Sequence, residues 1–239
     1  MHNDRRIMRP SDDNNRSALA IGYVTGLFPT LSMVFEQNEL LGLLAAGAHV
    51  DYLSCRRPGK EDIESIHEFA RPLFSHVRYP SIAGILRGFI WCCFTRPIRL
   101  AKVIFRTVWA IIRQPVNFRH YLSTLILSLQ FSRLGGRRNW DRIHANFAQG
   151  TATTAWNVAV LLDIPFSFTA HAFDIYGSRY RKLEHRSFFK RKLEAASPVL
   201  FISRDGRRHV QEGYGFDPSR SRLHRVTVRT GEMRMQPLP

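Results

Sequence analysis

The chain has 239 residues, 44% of them hydrophobic, which is enough to bury one principal core with a small helical insertion. Its 35 lysines and arginines against 19 acidic residues give a net charge of +16, which indicates an anionic partner such as a lipid head group, a phosphate ester or a nucleic acid. Three cysteines without metal-ligand or disulfide spacing argue against a zinc site and for a reducing cytoplasm. Residues 1–17 are polar, lack the apolar core of a signal peptide, and are expected to be a disordered tail.

Apolar runs alternate with amphipathic segments along most of the chain. Residues 19–25 predict a buried strand, and Gly26 and Pro29 mark the turn after it. Ser32 then caps a helix that ends at Gly47. Further strands are predicted at 49–54, 77–79, 142–147, 165–170, 199–203 and 223–228, and further helices at 62–70, 151–162, 181–196 and from 205 to about 213. This alternation predicts an α/β fold, a doubly wound parallel-sheet, Rossmann-like domain.

Between the third and fourth predicted strands, residues 82–134 form a basic helical segment with long apolar stretches. A helix over 98–113 places four cations along one stripe, namely Arg99, Lys102, Arg106 and Arg113. This pattern indicates a basic amphipathic helix that lies in the interface of an anionic membrane. The alternative is that these helices belong to the core and turn a solvated arginine face outward. Nucleic-acid binding has no support from any recognised module.

Ligands of open parallel sheets bind at the carboxyl ends of the strands, and three polar loops fall on that edge. In the first loop Gly26 permits close backbone approach, and the helix that follows Ser32 offers N–H groups to an anion; the alternative is a plain turn with a helix cap. The chain contains neither the G-x-G-x-x-G nor the G-x-x-x-x-G-K-[ST] pattern, which argues against ordinary NAD or ATP binding.

The other two loops follow the strands at 142–147 and 165–170. His144 and Asn146 share one face of their strand, where they either bind a ligand or satisfy buried polar contacts. His171 stands at a strand end, where an imidazole can donate to a substrate hydroxyl or stabilise developing charge, and Asp174 is placed to orient it. A purely structural histidine is the alternative.

Four segments resemble a known family. They are YVTGLFPTLS at 23–32, followed by Phe35, Asn38 and Glu39; IHANFA at 143–148; PFSFTAHAFDI at 165–175; and FISR at 201–204. Together they resemble the retaining glycosyltransferases of family 4, in particular bacterial exopolysaccharide and colanic-acid-type enzymes. The resemblance extends from about residue 19 to about residue 228.

The resemblance implies transfer of a sugar from a nucleotide sugar to an acceptor, without a metal or other cofactor, in a cleft between the two Rossmann-like domains of a GT-B fold. It implies that Gly26 faces the donor phosphates and that His171, followed by Asp174 in the same motif, contacts the transferred sugar as the catalytic pair. The expected substrate-binding residues are Gly26, Ser32, Glu39, His144 and Asn146. Many relatives carry a second histidine where this chain has Asn146, which can hydrogen-bond but cannot titrate.

Residues 18–228 are therefore expected to form the N-terminal, acceptor-side domain, and 229–239 an irregular tail. Relatives continue into a nucleotide-binding domain, so this chain is expected to be truncated and inactive alone, or to work with a separate chain that carries that domain. The expected function is transfer to a lipid-linked glycan in exopolysaccharide synthesis, peripheral on the inner face of the cytoplasmic membrane. The alternative is a non-catalytic membrane-surface or partner-binding remnant, or half of a split enzyme.

Overall fold

The computed structural model describes residues 18–30, 33–64, 68–176 and 184–226, without the side chains of 68–70. In these residues seven strands are found: β1 Ala20–Thr25, β2 His49–Ser54, β3 Val77–Arg78, β4 Arg142–Asn146, β5 Phe166–Ala170, β6 Val199–Phe201 and β7 Ser221–Leu223. The first six match predicted strands, whereas β7 lies at the start of the predicted 223–228 and residues 224–226 are not a strand. All pair in parallel, in the order β3-β2-β1-β4-β5-β6-β7. The predicted doubly wound α/β sheet is thus confirmed.

The strand order places a ligand crevice between β1 and β4. β1 pairs with β2 on one side and with β4 on the other. Gly22 is therefore aligned with Asp51 of β2 and with Ile143 of β4. The chain builds outward from β1 in one direction and from β4 in the other, so right-handed crossovers cover opposite faces of the two halves of the sheet. The order reverses at β1 and β4, and the carboxyl ends of these strands therefore border the crevice.

The helices match the predicted pattern except at 62–70 and at 172–176, where no helix was predicted. Their bounds are α1 Val34–Ala45, α2 Lys60–Glu64, α3 Ile82–Thr95, α4 Pro97–Arg113, α5 Phe118–Arg138, α6 Gly150–Leu162, α7 Ala172–Tyr176, α8 Arg186–Ala195 and α9 Arg204–Tyr214. The predicted helix at 62–70 is instead the short α2 followed by a 3-10 helix over Glu68–His76. Pro72 explains the difference, because its ring removes a backbone donor and disfavours α geometry before it.

Some predictions fall on residues that the structure does not describe. Ser32 and residues 181–183 and 227–228 lie outside the described residues, as do the two predicted tails at 1–17 and 229–239.

The helical segment α3–α5 packs onto α6 and belongs to the domain. Gly88 of α3 lies so close to the backbone of Leu129 in α5 that an added Cβ would overlap it. The apolar contacts of this layer include Cys92, Val103 and Leu161, all fully buried. Among the helices in the described part of the chain, none has the length and apolar character needed to cross a membrane.

The predicted stripe of cations lies on α4, but Arg99 and Arg106 have partners within the domain. Arg106 points inward, with its guanidinium carbon 3.5 Å from the ring centroid of Trp156 and its Nη2 donating to Asn157 Oδ1 at 2.5 Å. Arg99 forms an ion pair with Asp163 at 2.6 Å. The reason is that α6 and its C-cap offer polar partners on the inner side of α4. Of the four predicted residues, Lys102 and Arg113 are the exposed ones.

Candidate functional site

Four elements bring polar side chains to the carboxyl edge of the sheet. Thr25 ends β1, Asn146 ends β4, and His171 follows β5 directly, while Glu36 lies in the first turn of α1. Since the carboxyl ends of parallel strands share one edge, residues far apart in the sequence become neighbours there.

A buried hydrogen-bond chain links these residues. Asn146 donates through Nδ2 to Glu36 Oε1 at 2.5 Å, and its Oδ1 lies 2.6 Å from His171 Nε2. The Glu36 carboxylate also accepts from Thr25 Oγ1 at 2.8 and 2.9 Å and from the Tyr52 hydroxyl at 2.7 Å. Burial raises the pKa of Glu36 to about 7, although the three donors act to lower it. Sequence analysis missed Glu36; its one signal was a carboxylate just after the first polar loop.

Aromatic rings hold the imidazole of His171. Phe147 lies 4.4 Å and Phe35 5.2 Å from it, centroid to centroid. Phe147 has a left-handed backbone with φ of 73°, which is strained for a non-glycine residue and turns the chain sharply after β4. Burial lowers the pKa of His171 to about 4, so the ring is neutral at pH 7. A neutral imidazole offers one donor and one acceptor.

The prediction that Asp174 orients His171 was wrong for the imidazole. α7 begins at Ala172, and its geometry turns Asp174 towards the loop after β4, where Oδ2 accepts from the Ala148 backbone N–H at 2.5 Å. Gln149 donates to the Asp174 carbonyl at 2.8 Å. Asp174 is buried, which raises its pKa to about 7. It ties two loops of the site together.

His144 does not reach the hydrogen-bond chain. Its Nδ1 lies 2.9 Å from Ser167 Oγ and its Nε2 3.1 Å from Thr169 Oγ1, so both ring nitrogens are occupied within the sheet. Burial lowers its pKa to about 3. For His144 this geometry favours the alternative of buried polar contacts over ligand binding.

Gly26 lies in a partly exposed loop at the same edge. A Cβ added there would meet nothing within 4 Å, so the space above the loop is open. Close approach of a ligand to this backbone is therefore sterically permitted.

A cleft of about 300 Å³ adjoins His171 on the α1 side of the sheet. Glu39 lines it, accepting from the Tyr23 hydroxyl at 2.6 Å, with His224 Nε2 3.8 Å from its other oxygen. Burial raises the pKa of Glu39. No signal in the sequence pointed to His224. The remaining lining residues are Phe35, Asn38, Gly42, Leu43, Thr169, Ile202 and Val226. Apolar walls with a few polar groups are typical of small-ligand sites.

In residues 18–30, 33–64, 68–176 and 184–226, no group of three or more His, Cys, Asp or Glu side chains is arranged to hold a metal ion.

Three solved structures that match this chain are each about twice as long as it. A sucrose-phosphate synthase from Thermosynechococcus elongatus has a TM-score of 0.49 and 14% identity, over 86% of this chain and 47% of that one. A glycosyltransferase from Rickettsia africae has a TM-score of 0.48 and 11% identity, over 88% and 43%. A UDP-N-acetylglucosamine 2-epimerase from Rickettsia bellii has a TM-score of 0.47 and 9% identity, over 87% and 44%. The chain thus spans less than half of each.

A comparison of sequences gives a family. No curated protein matches the chain significantly. A family model described as Glycosyltransferase Family 4 matches residues 89–226, a range that includes Asn146 and His171. Since this match covers more than half of the 239 residues, the chain belongs to Glycosyltransferase Family 4.

Proposed function

We propose that this domain is the acceptor-side part of a glycosyltransferase that moves a sugar from a nucleotide sugar to a lipid-linked oligosaccharide at the inner face of the cytoplasmic membrane, in bacterial exopolysaccharide synthesis. Family membership supports the transfer chemistry. The proposed lipid acceptor and membrane location are supported by one observation, the composition of the outward side of α3, α4 and the start of α5.

This side, which we call the outer helical surface, is apolar where a water-facing helix would be polar. On α4, Ile98, Phe105 and Ile112 are between 71% and 75% exposed. The other large apolar residues exposed on these helices and the turn between α4 and α5 are Ile82, Leu86, Phe89, Ile90, Phe94, Ile104, Val108, Val116, Phe118 and Leu122. Exposed cations accompany them, namely Arg87, Lys102, Arg113 and Arg119. Apolar side chains bordered by cations favour the interface of an anionic membrane.

The outer helical surface ends near the candidate site. His120, in the first turn of α5, lies 3.1 Å from the position of an added Cβ at Gly150. Gly150 opens α6 just after the loop that begins at Asn146. The turn between α4 and α5, with Val116 83% exposed, is therefore at the same edge of the sheet as His171. A lipid-linked acceptor held in the membrane would approach the cleft from this end.

The resemblance supplies the proposed roles. The loop at Gly26 approaches the donor phosphates, for which the open space above it leaves room, and His171 contacts the transferred sugar. Glu39 and His224 line the cleft for the substrate. The proposed reaction needs no metal, and the nucleotide is held by a second Rossmann-like domain that also stabilises the leaving group.

Vesicle binding tests the outer helical surface. Changing Phe105, Ile112 and Val116 together to serine removes exposed apolar side chains and should not unfold the domain. Partial insertion of three such side chains is worth about 3 kcal/mol, so binding to vesicles of anionic phospholipid should fall roughly a hundredfold. Ile63→Ser, at a 45% exposed apolar residue of α2, is the matched control and should bind normally. Equal binding by the triple variant would contradict the membrane proposal.

Sugar transfer tests the chemistry. The chain is supplied with a complementary nucleotide-binding domain, and transfer from nucleotide sugar to a polyprenyl-diphosphate-linked acceptor is followed in membranes, with and without a chelator. His171→Ala should abolish transfer, whereas His49→Ala, at an exposed histidine at the opposite edge of the sheet, should not. Vesicle binding without any transfer by the wild-type chain would favour the alternative of a non-catalytic membrane-surface domain.

A further inference from the structure

The chain of hydrogen bonds from Glu36 to His171 has a direction. An ionised carboxylate can only accept, so Asn146 must present its amide N–H₂ to Glu36, as the 2.5 Å contact from Nδ2 has it. Asn146 therefore points its oxygen at His171 Nε2, 2.6 Å away. An acceptor oxygen at this distance requires a proton on Nε2.

The other ring nitrogen of His171 is then fixed as an acceptor. In the neutral imidazole a proton on Nε2 leaves a lone pair on Nδ1. Within the described residues no side-chain or backbone donor reaches Nδ1, and the packed rings of Phe35 and Phe147 keep the imidazole from turning. His171 lines the cleft.

We infer that Glu36 and Asn146 are positioning residues that hold His171 as its Nε2–H tautomer, so that Nδ1 accepts a hydrogen bond from a hydroxyl of the bound sugar. This inference deepens the proposed function and rests on it for the identity of the ligand. A histidine in the opposite tautomer would donate instead, and would favour a carbonyl or phosphate oxygen over a hydroxyl hydrogen.

The tautomer can be measured without any substrate. Nitrogen-15 NMR of the full chain, labelled in histidine, separates a protonated ring nitrogen from one with a lone pair. His171→Gln identifies the resonances of His171. At pH 8, above the pKa of Glu36 of about 7, the wild-type chain should show Nε2 protonated and Nδ1 unprotonated. A protonated Nδ1 in the wild type would overturn the inference.

Glu36→Gln is the isosteric perturbation. It gives Asn146 a neighbour that can donate, so the Asn146 amide can reverse and force the proton of His171 onto Nδ1. Both tautomers should then appear at comparable population. Glu61→Gln is the control, because it makes the same substitution at an exposed carboxylate of α2, outside the site; a single tautomer is expected. An unchanged single tautomer in Glu36→Gln would overturn the inference.

A second variant covers the case in which Glu36→Gln does not fold. Asn146→Asp is isosteric and places an acceptor-only group beside Nε2, so the titration of His171 should move up by more than one pH unit. No movement would show that Asn146 does not hold Nε2, and would overturn the inference. In the transfer assay, Glu36→Gln should lose activity more than tenfold and Glu61→Gln should not; full activity in Glu36→Gln would refute the acceptor role. If the wild type transfers no sugar, the proposed function fails, while the NMR result still decides the tautomer.

Discussion

Replacing Glu36 with glutamine tests which of two opposing effects controls its ionisation. The side chain is 0% exposed, and burial disfavours the carboxylate. Three donors, from Thr25, Tyr52 and Asn146, favour it. Burial prevails and raises the pKa from 4.5 to about 7. Glutamine has nearly the same shape and does not titrate.

The expected effect on stability follows from proton linkage. Folded Glu36 keeps its proton up to about pH 7, whereas in the unfolded chain it loses that proton near pH 4.5. Between these values the folded state binds more protons, so the free energy of unfolding falls as the pH rises. The two pKa values differ by an amount that corresponds to about 3 kcal/mol. The stability of the wild type relative to Glu36→Gln should therefore fall by about 3 kcal/mol from pH 4.5 to pH 8.

Urea unfolding followed by tryptophan fluorescence measures this difference. Asp174, whose pKa is also raised by burial, is present in both proteins, so its contribution cancels. Thr25→Val should raise the pKa of Glu36 further, since it removes a bond to the ionised form, and should move the fall in stability to higher pH. A difference between wild type and Glu36→Gln that stays constant or grows with pH would refute the reasoning. The three donors would then outweigh burial.

Three further predictions concern packing, a buried ion pair and the first loop. Gly88→Ala should lower the melting temperature because its Cβ would overlap the α5 backbone, whereas Gly213→Ala, with nothing within 4 Å, should not. Glu184→Gln should cost about 3–5 kcal/mol in urea unfolding, since it leaves the fully buried Lys192 unpaired; adding Lys192→Met should restore most of the loss. Gly26→Ala meets no atom within 4 Å, so stability should hold. The affinity for nucleotide sugar, measured by calorimetry with the complementary nucleotide-binding domain present, should fall; an unchanged affinity would show that the donor phosphates do not contact this loop.

The sheet was predictable because its strands carry their own signal. Strands buried on both faces appear as short apolar runs, and each observed strand begins or ends within about three residues of the predicted bounds. The position of His171 and Asn146 at the carboxyl edge was predictable for a related reason, since polar residues at the ends of parallel strands lie on that edge.

The partners within the site were not predictable from local sequence. Glu36 meets Asn146 across 110 positions, and nothing near either residue specifies that contact. Asp174 was expected to orient the His171 imidazole because the two are close in sequence, but the start of α7 directs its carboxylate to the Ala148 backbone and not to that ring.

The inverted polarity of α4 bears on the membrane proposal. Spacing predicted one stripe of cations, beside apolar residues, in a helix that lies in the interface of an anionic membrane. The fold instead commits Arg106 to Trp156 and Asn157 in α6, where burial lowers its pKa to about 9, and leaves Phe105 75% exposed. In water this arrangement has two costs in stability. The first is the removal of the Arg106 guanidinium from water, and the second is the exposure of the Phe105 ring to water. Contact with an apolar phase would offset the second cost, since insertion of Phe105 and its neighbours removes that surface from water. The orientation of α4 therefore supports the membrane proposal, which vesicle binding tests.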